Sequence, residues 1–223
     1  MKRVLEPELM DDPEQAAAYA CADFANENAA FVRLFLDSFP EAADLRHIVD
    51  LGCGPADIPI RLAQALPACR IIAIDASAAM LKLGERAVSD AGLETRIELQ
   101  YARVQEFALA ERADAVISNS LVHHIPNPLQ FWYSLPKIAK PGAPVLVMDL
   151  LRPESPEAAQ AIVDQYAANE PAILRRDFYN SLLAAFTDDE IASQLTEMNL
   201  SRLLIDVIDD RHWIVVGRLP GAR

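Results

Sequence analysis

Four short stretches of this 223-residue chain bring together side chains that could do chemistry. In Val49-Asp50-Leu51-Gly52-Cys53-Gly54-Pro55-Ala56-Asp57, the glycines supply backbone freedom and a surface without Cβ atoms, so a ligand can approach the main chain. Carboxylates bracket them at Asp50 and Asp57. Asp75 closes an apolar run 21 positions after Gly54, where its two oxygens could accept from a pair of neighbouring hydroxyls. His123 and His124 follow another apolar run, and neutral imidazole is a competent base near pH 7. Asp149 and Arg152 lie just past a further run. Asp149 could accept a proton or orient a hydroxyl, and Arg152 could hold an acid, unless the two pair with each other.

Loops of the Asp50–Asp57 kind serve two classes of nucleoside cofactor. Dinucleotides lay a pyrophosphate on a helix N-terminus and favour Gly-x-Gly-x-x-Gly. Here Asp57 takes the third glycine position, as the expected helix cap, and a carboxylate there repels a pyrophosphate. S-adenosylmethionine has no phosphate; its ammonium and sulfonium suit an acidic strand end such as Asp50. Asp75 fits the ribose of either class. Met80, one helical turn further on, could pack on adenine or simply fill the core.

These residues need a scaffold that brings strand ends together. Short apolar runs at residues 47–51, 70–75, 96–101, 114–118 and 145–149 alternate with helically spaced Ile58, Leu62, Ala65 and Leu66, and with Met80, Leu83 and Ala87 before Gly92. Nearly continuous apolar strands separated by helices imply a parallel sheet covered on both faces. The expected fold is α/β: a doubly wound, seven-stranded, mainly parallel sheet whose last strand is antiparallel. Residues 12–38 read as one Ala-rich helix, residues 154–170 and 173–186 as two, and residues 187–199 as a fourth capped by Thr187. Residues 202–208 and 212–217 read as a hairpin across Asp209-Asp210. One domain spanning 1–223 is expected. Within it, 1–45 is an N-terminal helical lid, 46–153 the ligand-binding core, 154–186 a helical cap, and 187–223 a closing helix and hairpin. Tyr19 on the lid is placed to close over a ligand. Arg175, Arg176, Tyr179 and Asn180 on the cap read as surface, and Trp213 as core.

A formal net charge of −13 works against phosphate backbones and anionic membranes, which call for clustered Lys and Arg. A small-molecule substrate is expected rather than nucleic acid. Three cysteines without metal-ligand spacing read as buried thiols of a reducing compartment. No run is long enough to span a membrane, and no signal-peptide pattern is visible, so a cytoplasmic monomer or homodimer is expected.

In order along the chain, Val49-Asp50-Leu51-Gly52-Cys53-Gly54, Ile74-Asp75-Ala76-Ser77 with Met80-Leu81, Asp114-Ala115-Val116-Ile117-Ser118-Asn119-Ser120-Leu121-Val122-His123-His124 and Lys140-Pro141-Gly142 resemble the class I S-adenosylmethionine-dependent methyltransferases. The resemblance is to the methyltransferase-domain group that includes ubiquinone and menaquinone enzymes, and it covers about residues 46–150. It implies a Rossmann-like fold and S-adenosylmethionine as cofactor, with S-adenosylhomocysteine as product. It further implies that Asp50, Gly52 and Gly54 hold the methionine moiety and Asp75 the ribose. Ala76 and Met80 would line adenine, with Asn119 and Leu121 beside the sulfonium. The family often has Gly-Asp after its third strand; this chain has Ala102-Arg103, so adenine would meet the backbone around Arg103 and Val104. The flanks at residues 4–11, 149–153 and 210–213 resemble a bacterial subgroup.

Methyl transfer is a positioned in-line displacement, so His123, Asp149 and Arg152 are the candidates for handling the acceptor. Ser118-Asn119-Ser120 offers no acidic oxygen ligands, which predicts a metal-independent reaction. Two other readings share these residues: an NAD-dependent oxidoreductase, from the loop and Asp75, and a non-catalytic binding module, from Ala102-Arg103.

Overall fold

The computed structural model describes residues 1–6 and 11–221. The part of the amino-terminal flank at residues 7–10 lies outside them. Seven strands form one sheet: β1 His47–Leu51, β2 Arg70–Asp75, β3 Ile97–Tyr101, β4 Ala115–Asn119, β5 Pro144–Leu150, β6 Leu204–Val207 and β7 His212–Arg218. Their order is β3-β2-β1-β4-β5-β7-β6. β7 runs antiparallel to both neighbours, β5 and β6, and the remaining pairings are parallel. This is the doubly wound, Rossmann-like sheet expected from the alternation of apolar runs and helices. The chain winds outward from β1 in both directions, so the crevice beyond the carboxyl ends of β1 and β4 is where such sheets take a ligand.

Helices cover both faces: α1 Pro13–Cys21, α2 Ala25–Ser38, α3 Asp57–Ala65, α4 Ala78–Asp90, α5 Pro128–Ile138, α6 Pro156–Tyr166, α7 Ala172–Ala184 and α8 Asp188–Glu197. One apolar cluster gathers Val49, Leu51, Val147, Trp132 and Trp213 with α5 and α8. The other gathers Ile48, Ile71, Ile117 and Leu146 with α2, α3 and α4. Trp213 is fully buried, as expected. Thr187 and Glu190 close a reciprocal capping box on α8.

The stretch 12–38 is two helices rather than one. The Asp12 side chain caps α1 through the Glu14 and Gln15 amides, but α1 ends at Cys21 with the Ala22 amide bonded to the Tyr19 carbonyl. Asp23 then accepts from the Ala25 amide and starts α2. A short polar side chain able to bond its own backbone offers the chain an alternative to continuing the helix, which Ala-rich spacing alone cannot reveal. The break lets α1 pack on α4 and α7 while α2 packs on α3. A second correction concerns the loop: Ala56, at φ 68°, is the N-cap of α3, and Asp57 is its first residue. Among the thiols, Cys53 and Cys69 are buried as expected, whereas Cys21 is exposed.

The amino-terminal residues are anchored to the far end of the chain. The Val4 amide donates to the Leu183 carbonyl, and Arg3 donates to the carbonyls of Ala184, His123 and Ile125. The Arg3 guanidinium also lies 3.9 Å from the centre of the Phe186 ring. Residues 1–6 therefore run past the carboxyl end of β4.

Candidate active site

The loop after β1 folds back on β2, with the Gly52 and Cys53 amides both donating to the Ile74 carbonyl. Gly52 has φ 77°, a backbone conformation that L side chains adopt only at a cost. A Cβ there would lie 2.8 Å from Leu121, which is how the loop after β4 comes to press on the loop after β1. Gly54, at φ 52°, faces open space, with no atom within 4 Å of where its Cβ would be. Asp75 ties the two loops together. One carboxylate oxygen accepts from the Gly54 amide and the other from the Ser77 amide, both at 2.8 Å. The Ala76 amide donates to the same carboxylate, so of its roughly four lone-pair sites about one stays open to an incoming hydroxyl.

The carboxyl ends of the central strands are acidic. Asp50 is buried, and burial, reinforced by the Asp75 charge, pushes its carboxyl up to about 8. Burial also raises the Asp75 carboxyl, opposed by its hydrogen bonds to the Ser77, Gly54 and Ala76 amides. Tyr19 on α1 stacks against Phe24, 5.0 Å between ring centres. Its phenol is pushed up to about 12 by burial and then by the charges of Asp75, Asp149 and Asp57. Tyr19 thus feels the charges of the same acidic strand ends. Asp57 itself is engaged by Asn28 at 2.8 Å and Arg61 at 2.6 Å. Arg61 offsets part of its charge, which weakens the repulsion of a pyrophosphate expected there.

A basin of this kind suits S-adenosylmethionine. Two carboxylates, Asp50 and Asp75, end adjacent strands beside the bare surface at Gly54, an acidic basin with room for a cationic nucleoside. Asp50, Gly52, Gly54, Asp75 and Leu121 are brought together, with Asn119 half-buried at the end of β4. Ala76 follows Asp75 directly. Met80 is buried in the first turn of α4, its amide capped by the Ser77 hydroxyl. Beyond β3 the Ala102 amide donates to the Asp75 carbonyl, which holds Arg103 at that strand end, whereas Val104 is packed in the core.

On the acceptor side the structure pairs Asp149 with His123, not with Arg152. Asp149 is fully buried and accepts from His123 Nδ1, from the His123 amide at 3.2 Å and from its neighbour Leu150. Burial works against an imidazolium at His123, yet Asp149 and then Glu6 outweigh it and raise its pKa. Asp149 is correspondingly lowered despite its burial. Arg152 turns the other way, donating to Glu190 at 2.7 Å and to the Ala185 carbonyl at 3.3 Å. It joins the cap to α8. Arg175 makes a surface pair with Asp164, and the exposed Arg176 reaches the buried Asp177.

Glu6 is the residue that sequence reasoning passed over. Its carboxylate is 3.4 Å from His123 Nε2 and 3.1 Å from His124 Nδ1, and it accepts from the Ser181 hydroxyl. Nothing local marks it; 117 residues separate it from His123, and only the anchoring of residues 1–6 brings them together.

The comparisons with known proteins agree with this geometry. Residues 48–142 match a family model described as a methyltransferase domain. The chain is 28% identical over 129 residues to trans-aconitate 2-methyltransferase of Azoarcus sp. (strain BH72), covering 58% of this chain and 48% of that protein. It is 29% identical over 112 residues to demethylmenaquinone methyltransferase of Lactiplantibacillus plantarum, covering 49% and 47%. The chain thus spans about half the length of the curated relatives it matches. Among solved structures, the plantazolicin methyltransferase BpumL in complex with a pentazolic desmethylPZN analog and SAH superposes at a TM-score of 0.69, with 13% identity, 93% of this chain and 92% of that one. In sheet order, loop geometry and these matches the chain resembles the class I S-adenosylmethionine-dependent methyltransferases, the matched domain being residues 48–142.

Proposed function

We propose that the protein transfers a methyl group from S-adenosylmethionine to an oxygen, nitrogen or carbon atom of a small organic molecule. The observation that carries this reading is the buried acidic end of β1 and β2, Asp50 and Asp75, around a loop left bare at Gly54. Bound there, S-adenosylmethionine supplies an electrophilic methyl on a sulfonium. The chain's own contribution is orientation and exclusion of water. Asp75 holds the nucleoside, Asp50 faces the ammonium, and Asn119 and Leu121 flank the reacting end. Ala76, Met80 and the backbone of Arg103 and Val104 serve the adenine. Tyr19 closes over the site from α1, making residues 1–45 a lid and α6–α7 a cap over the acceptor.

His123 is the polar group offered to the acceptor, and Asp149 acts through it as a positioning residue. With Nδ1 held by Asp149, the Nε2 atom faces the amino-terminal segment, where an acceptor entering between that segment and the cap would meet it. Arg152 ties the cap in place through Glu190. A net charge of −13 and acidic strand ends favour a neutral or cationic acceptor over nucleic acid. No helix among the described residues is long and apolar enough to cross a membrane.

Calorimetry tests the reading. S-adenosylhomocysteine should bind with one site per chain, NAD should not, and Asp75→Ala should abolish the heat. Binding of NAD in place of S-adenosylhomocysteine would overturn it.

A further inference from the structure

We propose that Glu6, His123 and His124 form a binding site for a divalent transition-metal ion of the zinc class. Binding of the ion is independent of methyl transfer, whereas its action on an acceptor rests on the function proposed above. One ligand atom from each residue lies within 4.8 Å of the other two. Glu6 Oε1 is 3.4 Å from His123 Nε2 and 3.1 Å from His124 Nδ1. A tetrahedral ion with ligand bonds of about 2.0–2.2 Å has ligand-to-ligand edges of about 3.3–3.6 Å. The two edges that meet at Glu6 are close to that size before any ion draws the groups together.

The surroundings are those of a metal site. The ring nitrogen of His123 opposite the ion is held by Asp149, the carboxylate–histidine arrangement that fixes tautomer and ring direction at metal centres. Glu6 is held by the Ser181 hydroxyl, 3.1 Å from Oε1 and 3.3 Å from Oε2. The three ligating side chains are largely withdrawn from water, at 3%, 9% and 16% exposure for His123, Glu6 and His124. A dication would balance the two buried carboxylates, Glu6 and Asp149. Two imidazoles and one carboxylate select zinc, cobalt or nickel over magnesium and calcium, which want an all-oxygen shell. Three protein ligands leave the fourth position for water or for a donor atom of the acceptor, as in catalytic rather than structural zinc sites.

The expectation of a metal-independent enzyme looked for acidic ligands at the ends of the fourth and fifth strands. Here the carboxylate comes from residue 6. With the ion in place, His123 no longer receives an acceptor proton. An acceptor hydroxyl bound at the fourth position is acidified instead, its proton passing to solvent. The ion would also lock residues 1–6 over the strand ends, coupling metal occupancy to closure.

The test is cobalt(II) titration of the chelator-treated full chain, followed in the visible region, with zinc(II) as competitor. The expected result is one equivalent of cobalt with the intense bands of tetrahedral nitrogen–oxygen coordination, bleached by one equivalent of zinc and unaffected by magnesium. Glu6→Gln and His124→Asn should each weaken uptake by at least about tenfold, as should Asp149→Asn through the second shell. His212→Asn, at the exposed histidine paired with Asp209, should change nothing. S-adenosylhomocysteine calorimetry on the Glu6 and His124 variants checks their folding. Wild-type protein that binds S-adenosylhomocysteine but gives no bands, or only weak octahedral ones, overturns the metal site and leaves the methyltransferase reading standing. Uptake unchanged in both Glu6→Gln and His124→Asn overturns it equally.

Discussion

If the buried carboxyl of Asp50 faces the cofactor ammonium, as proposed, cofactor binding is coupled to loss of a proton. Its pKa of about 8, set by burial and by Asp75, means that at pH 7 roughly nine chains in ten carry it neutral. The ammonium of S-adenosylhomocysteine favours the carboxylate, so binding at pH 7 should expel close to one proton. Affinity should then rise with pH by up to about tenfold per unit below 7.5 and level off above about 8.5. Calorimetry at pH 7 in two buffers of different ionisation enthalpy reads the proton count directly. Asp50→Asn, which resembles the protonated form permanently, should bind like wild type at pH 6, release no proton and lose the slope. The ligand-free protein should show the opposite trend. Because the folded pKa lies above the ordinary value of 3.8, the Asp50 contribution to stability is complete below about pH 4 and is lost as pH climbs to about 8. Asp50→Asn should therefore be the more thermostable at pH 8. A wild-type enthalpy independent of buffer, or a pH slope retained in Asp50→Asn, would refute this reasoning.

Three further outcomes follow from single contacts. Asp75→Ala removes the acceptor of the Gly54 and Ser77 amides along with the ribose contact, and should weaken S-adenosylhomocysteine at least about a hundredfold, or roughly 3 kcal/mol; retained affinity in calorimetry would count against the assignment. Gly52→Ala forces alanine to φ 77° against Leu121, costing about 1–2 kcal/mol from the backbone alone. At about 2–4 °C per kcal/mol for a domain of this size, melting should fall by about 2–8 °C and cofactor affinity should fall with it. Gln194→Ala strips the acceptor from the buried Trp132 indole, a 2.7 Å bond joining α5 to α8, and should cost about 1–3 kcal/mol with cofactor binding intact. A denaturation midpoint equal to wild type would show that the indole finds another partner.

How much of this was legible in advance depends on the range of the interaction. Apolar runs of the right length and their alternation with helices specify a parallel sheet, because a strand buried on both faces must be apolar throughout. The order Asp50, Gly52, Gly54, Asp75 brings the candidate cofactor residues together, because loop and second strand are neighbours in any such winding. Local competition was less readable. α1 stopped at Cys21 and the Asp23 carboxylate took the Ala25 amide at the start of α2, while Ala56, in a left-handed conformation, took the cap expected of Asp57. Sequence offered Asp149 one pairing partner, Arg152 three residues on, and did not point to His123. Tertiary packing chose His123, since β4 and β5 are adjacent and Glu190 drew Arg152 away. Glu6 was beyond sequence altogether. Its place against His123 and His124 follows from backbone bonds to Leu183 and Ala184 at the other end of the chain. Periodicity and loop chemistry are written in neighbouring residues, so the sequence determined the sheet and the cofactor loop. The acceptor side is assembled from segments more than a hundred residues apart, and only their packing decided it.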